Sequence, residues 1–146
     1  MLLTISCVQY CVGSTGYVEV FYVEYDGGDA FFEEMVRYFF QFHDPTTMNK
    51  QGNDEGTQYA SVIYCYNQNQ MKIANRVKDE LQYILSNDLF PKKCFREDTV
   101  TTAIVMVEGL PFYRAHQEHQ EYLMNNPRGY CNHRIRFKDW PKLDTE

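Results

Sequence analysis

The chain has no apolar run approaching the roughly 20 residues that a bilayer-spanning helix requires. Its start, Met1-Leu2-Leu3-Thr4-Ile5, lacks the charged residues and the length of a secretory leader. Both absences lead to the expectation of a soluble, cytoplasmic protein. No Pro-, Gly- or Ser-rich linker, no repeat and no low-complexity tract divides the sequence, so a single domain over residues 1–146 is expected. That length suffices to bury roughly 70% of the surface of the unfolded chain. Basic charge is scarce: 14 Lys and Arg stand against 20 Asp and Glu, a net charge of −6. This argues against nucleic acid as a partner, because phosphate binding needs a concentrated basic surface. The basic exception is the stretch 128–142, read as a solvated, poorly ordered terminus in preference to a binding patch. Five cysteines are an odd number without the regular spacing of a disulfide framework. Free thiols in a reducing compartment follow, and any disulfide would be catalytic. Aromatic residues, by contrast, are plentiful at 16%, with 12 Tyr and 10 Phe, so a core can form without metal or disulfide staples.

Residues 17–25 read as a strand that is apolar on both faces, with Val18, Val20 and Tyr22 opposite Phe21, Val23 and Tyr25. After the turn Asp26-Gly27-Gly28-Asp29, the residues Phe32, Met35, Val36, Phe39 and Phe40 recur at helical spacing, and this helix should end near His43, before Pro45. Residues 59–66 read as a second strand. Met71, Ala74, Val77, Leu81, Ile84 and Leu85 mark a second helix, with Asn67 as its cap. A β-branched third strand is expected over residues 99–107, closed by Gly109 and Pro111, and a short helix from about Ala115 to Met124. Residues 132–146 read as an irregular tail. The alternation of strand and helix predicts an α/β (α+β) fold, a two-layer arrangement with one mixed sheet under helices.

Between the first helix and the second strand lies the run Gln51-Gly52-Asn53-Asp54-Glu55-Gly56-Thr57-Gln58-Tyr59, preceded by His43-Asp44-Pro45-Thr46. It has glycines, amides and a carboxylate but no apolar anchor, so side-chain and backbone hydrogen bonds must hold it. Polar loops of this density on rigid scaffolds often carry function. The run resembles the signature of the peptide methionine sulfoxide reductase A family, as does Gly129-Tyr130-Cys131. Phe112-Tyr113, His119-Gln120, Tyr122-Leu123 and Thr15-Gly16-x-Val18-Glu19 fit the same order, so the resemblance spans most of the chain. The family's Gly-Cys-Phe-Trp segment, which carries the nucleophilic cysteine, occurs nowhere in this sequence.

The resemblance implies a ferredoxin-like core that is N-terminally truncated, since the family places a strand, a helix and a second strand before the position of Cys11. Residues 1–10 form a divergent start. An uncovered sheet face and an unpaired edge would then invite self-association.

Each candidate has a plain reading beside the functional one. Glu19 lies between Tyr17 and Phe21, where desolvation would favour a neutral carboxyl able to donate a proton, or else it faces water from an edge strand. The resemblance makes it the acid that protonates the sulfoxide oxygen. Tyr59 is a core tyrosine by position; the family gives its hydroxyl a hydrogen bond to the same oxygen. Asp54 is an Asx-turn carboxylate that by resemblance also lines the pocket, and the two roles are compatible. For His43 and Asp44, capping is preferred to an acid/base pair. Cys131 matches the family's resolving cysteine, which traps the sulfenic acid left on the nucleophile as a disulfide. Thioredoxin or another external dithiol would then reduce it, and no bound cofactor is implied. The family's glycine-rich tail is replaced here by Asn132-His133-Arg134-Ile135-Arg136-Phe137.

Cys7 and Cys11 lack the Gly-Cys-Phe-Trp context, in which a helix N-terminus lowers the thiol pKa. Cys65 and Cys94 read as structural, although Lys92, Lys93 and Arg96 would favour a Cys94 thiolate. His116, His119, Cys131 and His133 also have spacings that could ligate zinc. The expectation is therefore a peptide-methionine (S)-S-oxide reductase homologue acting on free or protein-bound methionine sulfoxide, with little activity of its own for want of the nucleophile. The alternative is a non-catalytic module that binds oxidised methionine or a partner protein.

Overall fold

The structure, a computed structural model, describes residues 17–131 and 133–143. The divergent start, Cys7 and Cys11 lie outside the described residues. Among these residues the chain forms α1 (Gly28–Phe42), β1 (Lys50–Gln51), β2 (Asp54–Glu55), β3 (Val62–Cys65), α2 (Gln68–Ser86), β4 (Ala103–Met106) and α3 (Tyr122–Asn125). Single 3-10 turns form at Thr57–Tyr59 and Gln117–His119. The class is mixed α/β, as the alternation predicts. β3 and β4 pair in parallel, from Val62 opposite Ala103 to Cys65 opposite Met106, with α2 as the crossover. β1 and β2 form a separate antiparallel hairpin.

The helices follow the apolar periodicity. α1 buries Phe32, Val36 and Phe40, spaced four apart, and α2 buries Ala74, Val77, Leu81 and Ile84. These stripes join Cys65 of β3 in one core. Burial of each large aliphatic or aromatic side chain there contributes about 2 kcal/mol. Asn67 caps α2 as expected, its side chain accepting the Gln70 N–H at 2.8 Å. On the outer side of the two helices, Arg37 donates to Glu80 at 2.6 and 3.0 Å and to Glu33 at 2.9 and 3.1 Å, while Arg76 donates to Glu33 at 2.5 Å. These partly exposed pairs tie α1 to α2 but each is worth at most about 1 kcal/mol.

Three segments differ from the sequence reading. Residues 17–25 are extended but contain only an isolated bridge residue at Phe21. A strand needs a ladder partner along its length, and among the described residues this segment belongs to neither two-stranded sheet, although the Glu19 N–H donates to the Gln58 carbonyl at 2.9 Å. The helix expected over residues 115–124 is broken in two by Glu121, whose φ of 53° is left-handed. Only Ala115 and Gln120 are buried there, so no apolar stripe holds a continuous helix together.

Over residues 133–143 the tail is docked on the body rather than free in solvent. The Arg134 and Arg136 N–H groups donate to the Phe42 and Gln41 carbonyls at 3.0 and 2.7 Å. They thereby satisfy acceptors that the end of α1 leaves unpaired. Phe137 is buried against Phe90 and Phe95, with ring centroids 4.7 and 5.9 Å away. The Arg37 guanidinium lies 4.7 Å from the centre of the Trp140 ring.

Candidate functional site

The polar run folds into a braced hairpin. Lys50 pairs with Glu55 and Gln51 with Asp54, leaving Gly52 and Asn53 as the two turn residues. Gly52 has a φ of 62°, the conformation that a type II′ hairpin turn assigns to glycine at its first central position. Lys50 and Glu55 also form an ion pair. The Gln51 side chain clasps the Asp44 backbone, its amide donating to the Asp44 carbonyl at 2.9 Å and its oxygen accepting the Asp44 N–H at 3.4 Å. Thr47 Oγ1 donates to the Lys50 carbonyl at 2.6 Å. Hydrogen bonds thus replace the missing apolar anchor.

His43 and Asp44 part company at the end of α1: their side chains take different hydrogen-bond partners, and Asp44 reaches His43 only as a minor electrostatic pull that raises its pKa. His43 is buried; its Nδ1–H donates to the Phe39 carbonyl at 2.6 Å and its Nε2 accepts from Ser61 Oγ at 2.8 Å. Ser61 Oγ in turn lies 2.7 Å from Thr102 Oγ1. The histidine therefore caps α1 and ties it to the strands. Burial drives its pKa from 6.5 to about 4, outweighing the hydrogen bond to Phe39. Asp44, with a side chain only 2% exposed, accepts from the Thr46 N–H at 3.1 Å, Thr46 Oγ1 at 2.6 Å, the Arg96 N–H at 3.3 Å and Arg136 Nη1 at 3.3 Å. It organises the floor under the hairpin, a role the sequence reading missed. The signal was there in Asp-Pro-Thr, where an aspartate two residues before a threonine closes an Asx turn.

The bond from Glu19 to Gln58 sets the acid beside this hairpin. The Glu19 carboxyl is half-buried, and desolvation pushes its pKa up; His119 pulls it down and Asp54 pushes it further up. Glu19, Asp54 and His119 therefore share one electrostatic neighbourhood. Tyr59 ends the 3-10 turn that carries Gln58, its N–H donating to the Gly56 carbonyl at 3.0 Å. Tyr17 and Tyr113 meet edge to face at 5.5 Å, bringing the extended residues 17–25 against the segment after β4.

Cys131 is exposed, and its sulfur lies 3.8 Å from His133 Nδ1. Asp54 acts on His133 as it does on Glu19, so the hairpin carboxylate links the acid to the cysteine end of the site. The turn before Cys131 requires glycine. A Cβ on Gly129 would stand 2.6 Å from the Tyr122 ring and 2.9 Å from the Asn126 carbonyl oxygen. The other described thiols are poor nucleophiles: burial pushes Cys65 to about 11 and raises Cys94, the latter against the pull of Lys92 and Arg136. Among the described residues no three His, Cys, Asp or Glu side chains gather into a metal-binding group. His116, His119, Cys131 and His133 thus do not converge as the zinc reading required. No described helix is long and apolar enough to cross a membrane.

The pattern of the family described as peptide methionine sulfoxide reductase matches residues 5–144. The chain belongs to the peptide methionine sulfoxide reductase family. It is 41% identical over 123 residues to the peptide methionine sulfoxide reductase MsrA of Vibrio parahaemolyticus, a match covering 84% of this chain and 54% of that one. It is 42% identical over 123 residues to the human mitochondrial peptide methionine sulfoxide reductase, covering 84% and 48%. The fold superimposes on reduced Mxr1 from Saccharomyces cerevisiae with a TM-score of 0.72 at 33% identity, over 86% of this chain and 63% of that one. For methionine sulfoxide reductase A of Corynebacterium diphtheriae the TM-score is 0.67 at 30% identity, over 88% and 65%. The chain spans about half the length of the curated reductases it matches.

Proposed function

We propose that the hairpin face is the sulfoxide-binding and proton-delivering part of a peptide-methionine (S)-S-oxide reductase site. The observation that carries this reading is Glu19, a carboxyl kept towards its neutral, proton-donating form by burial beside Asp54. In this reading Glu19 protonates the sulfoxide oxygen, the Tyr59 hydroxyl donates a hydrogen bond to it, and Asp54 orders the pocket wall. Cys131, exposed at the end of a turn, resolves the sulfenic acid of a nucleophilic cysteine as a disulfide. An external dithiol such as thioredoxin restores the thiols, with no bound cofactor. The free thiols Cys65, Cys94 and Cys131 suit the reducing cytoplasm. Substrates are methionine sulfoxide residues in proteins or the free amino acid, not nucleic acid.

Reduction requires a thiolate that attacks sulfur, and this sequence contains no Gly-Cys-Phe-Trp. The 146-residue chain by itself should therefore bind sulfoxide and turn it over slowly or not at all. A second reading of the same face is a binding module for oxidised methionine. Calorimetry with a sulfoxide peptide and its methionine counterpart, beside a dithiothreitol-driven turnover assay, tests both. Preference for the sulfoxide peptide, weakened by Glu19→Gln, supports the site; equal affinity for the two peptides overturns it. Turnover abolished by Cys7→Ser or Cys11→Ser would show that one of those thiols substitutes as nucleophile. Among the described residues β3 and β4 each have one neighbour, and their outer edges give self-association a route that light scattering would detect.

A further inference from the structure

His133 stands where the sequence departs from the family's glycine-rich tail, and its surroundings are specific. Its ring packs on Phe42 with centroids 5.1 Å apart, and the next residue is pinned by the bond from the Arg134 N–H to the Phe42 carbonyl at 3.0 Å. The imidazole is thus held from the end of α1, with Nδ1 turned towards the Cys131 sulfur at 3.8 Å. Its charged and titratable neighbours are Asp54 of the hairpin, Arg136 of the tail and the buried His43. Desolvation and the Arg136 cation lower its pKa against the pull of Asp54, which favours the uncharged, proton-accepting ring.

We propose that His133 is the general base of Cys131, its Nδ1 taking the thiol proton as the sulfur attacks a sulfenic acid or a disulfide. With a sulfenic acid, the Cys131 sulfur forms the new S–S bond and is oxidised, while the sulfenic sulfur is reduced as its S–O bond breaks. The leaving hydroxide collects the proton from the imidazolium as water. With a disulfide, the departing thiolate takes that proton instead. The inference rests on the reductase reading only for the identity of the attacked sulfur; activation of the thiol stands apart from it.

The test is the rate at which iodoacetamide alkylates Cys131 in the full chain, read on the Cys131 peptide by mass spectrometry from about pH 5 to about pH 10. His133→Gln removes the base, and His133→Phe removes it while keeping a ring against Phe42. Both variants should alkylate about tenfold more slowly near neutral pH and shift the profile upward by about one unit. Superimposable profiles in the folded variants overturn the proposal. If neither variant folds, the wild-type profile decides. A plateau reached above the histidine's titration supports the base, whereas a tenfold rise per pH unit into the range of a free thiol overturns it. Because the reagent contains no sulfoxide, failure of the chain to recognise methionine sulfoxide would leave this result intact. Superimposed profiles in a chain that does recognise it would overturn the role of His133 alone.

Discussion

The body made of α1, β3, α2 and β4 and the arm formed by residues 108–131 are built on opposite terms. The body buries Phe40, Val77, Leu81 and Ile84 completely, while the arm leaves Leu110, Phe112, Tyr113, Tyr122, Leu123, Met124 and Tyr130 at the surface. Among the described residues the arm is tied to the body by backbone bonds at both ends and buries only Ala115 and Gln120 between them. At one end the Val107 N–H donates to the Cys65 carbonyl at 2.9 Å, and at the other the Arg134 N–H reaches Phe42 at 3.0 Å. Stability is concentrated in the body and the cysteine sits on the arm. Under the proposed resolving role this division suits Cys131, because local opening is easiest where few apolar contacts are buried.

The contrast can be broken at its strongest point. Leu81→Ala, at a fully buried site, should cost about 4 kcal/mol in urea unfolding, through lost transfer energy and the cavity left behind. Asp44→Ala comes next, at about 3 kcal/mol, because it strands the Arg136 guanidinium and two N–H donors beneath the hairpin. A similar loss should follow acidification. As the pH falls below 6.5 the unfolded chain protonates His43, whereas the folded chain resists until about pH 4. Stability present above pH 6.5 therefore declines through that window by about 3 kcal/mol, and His43→Gln should remove this component of the pH profile. The smallest effect sharpens the comparison from the other side. Met124→Ala, at a side chain 75% exposed, should change stability by less than about 0.5 kcal/mol. Hydrogen exchange should also show the arm amides opening well before those of α2.

What was legible in the sequence divides along the same line. Phe32, Val36 and Phe40, and Ala74, Val77, Leu81 and Ile84, fall on the buried faces their spacing assigns, and Asn67 caps the helix it precedes. In these elements local pattern and tertiary burial agree. Residues 17–25 have strand composition, but among the described residues they join neither sheet, and Phe21 and Val23 are exposed. In the tail, Arg134 and Arg136 read as solvated charge because their partners, the Phe42 and Gln41 carbonyls and the Asp44 carboxylate, are remote in sequence. The polar run declared itself through its glycines and amides. That Asp54 would act on both Glu19 and His133 depends on a chain path that no local motif encodes.

The clasp between Asp44 and Arg136 spans 92 residues. At a translation rate of about 5 to 20 residues per second, the carboxylate is synthesised roughly 5 to 18 seconds before its cation. Helix formation and the pairing of β3 with β4 run on far shorter timescales. During synthesis Asp44 must therefore rely on Thr46 and the Arg96 N–H, and the arginine arrives as a latch on a hairpin floor that its neighbours have already shaped.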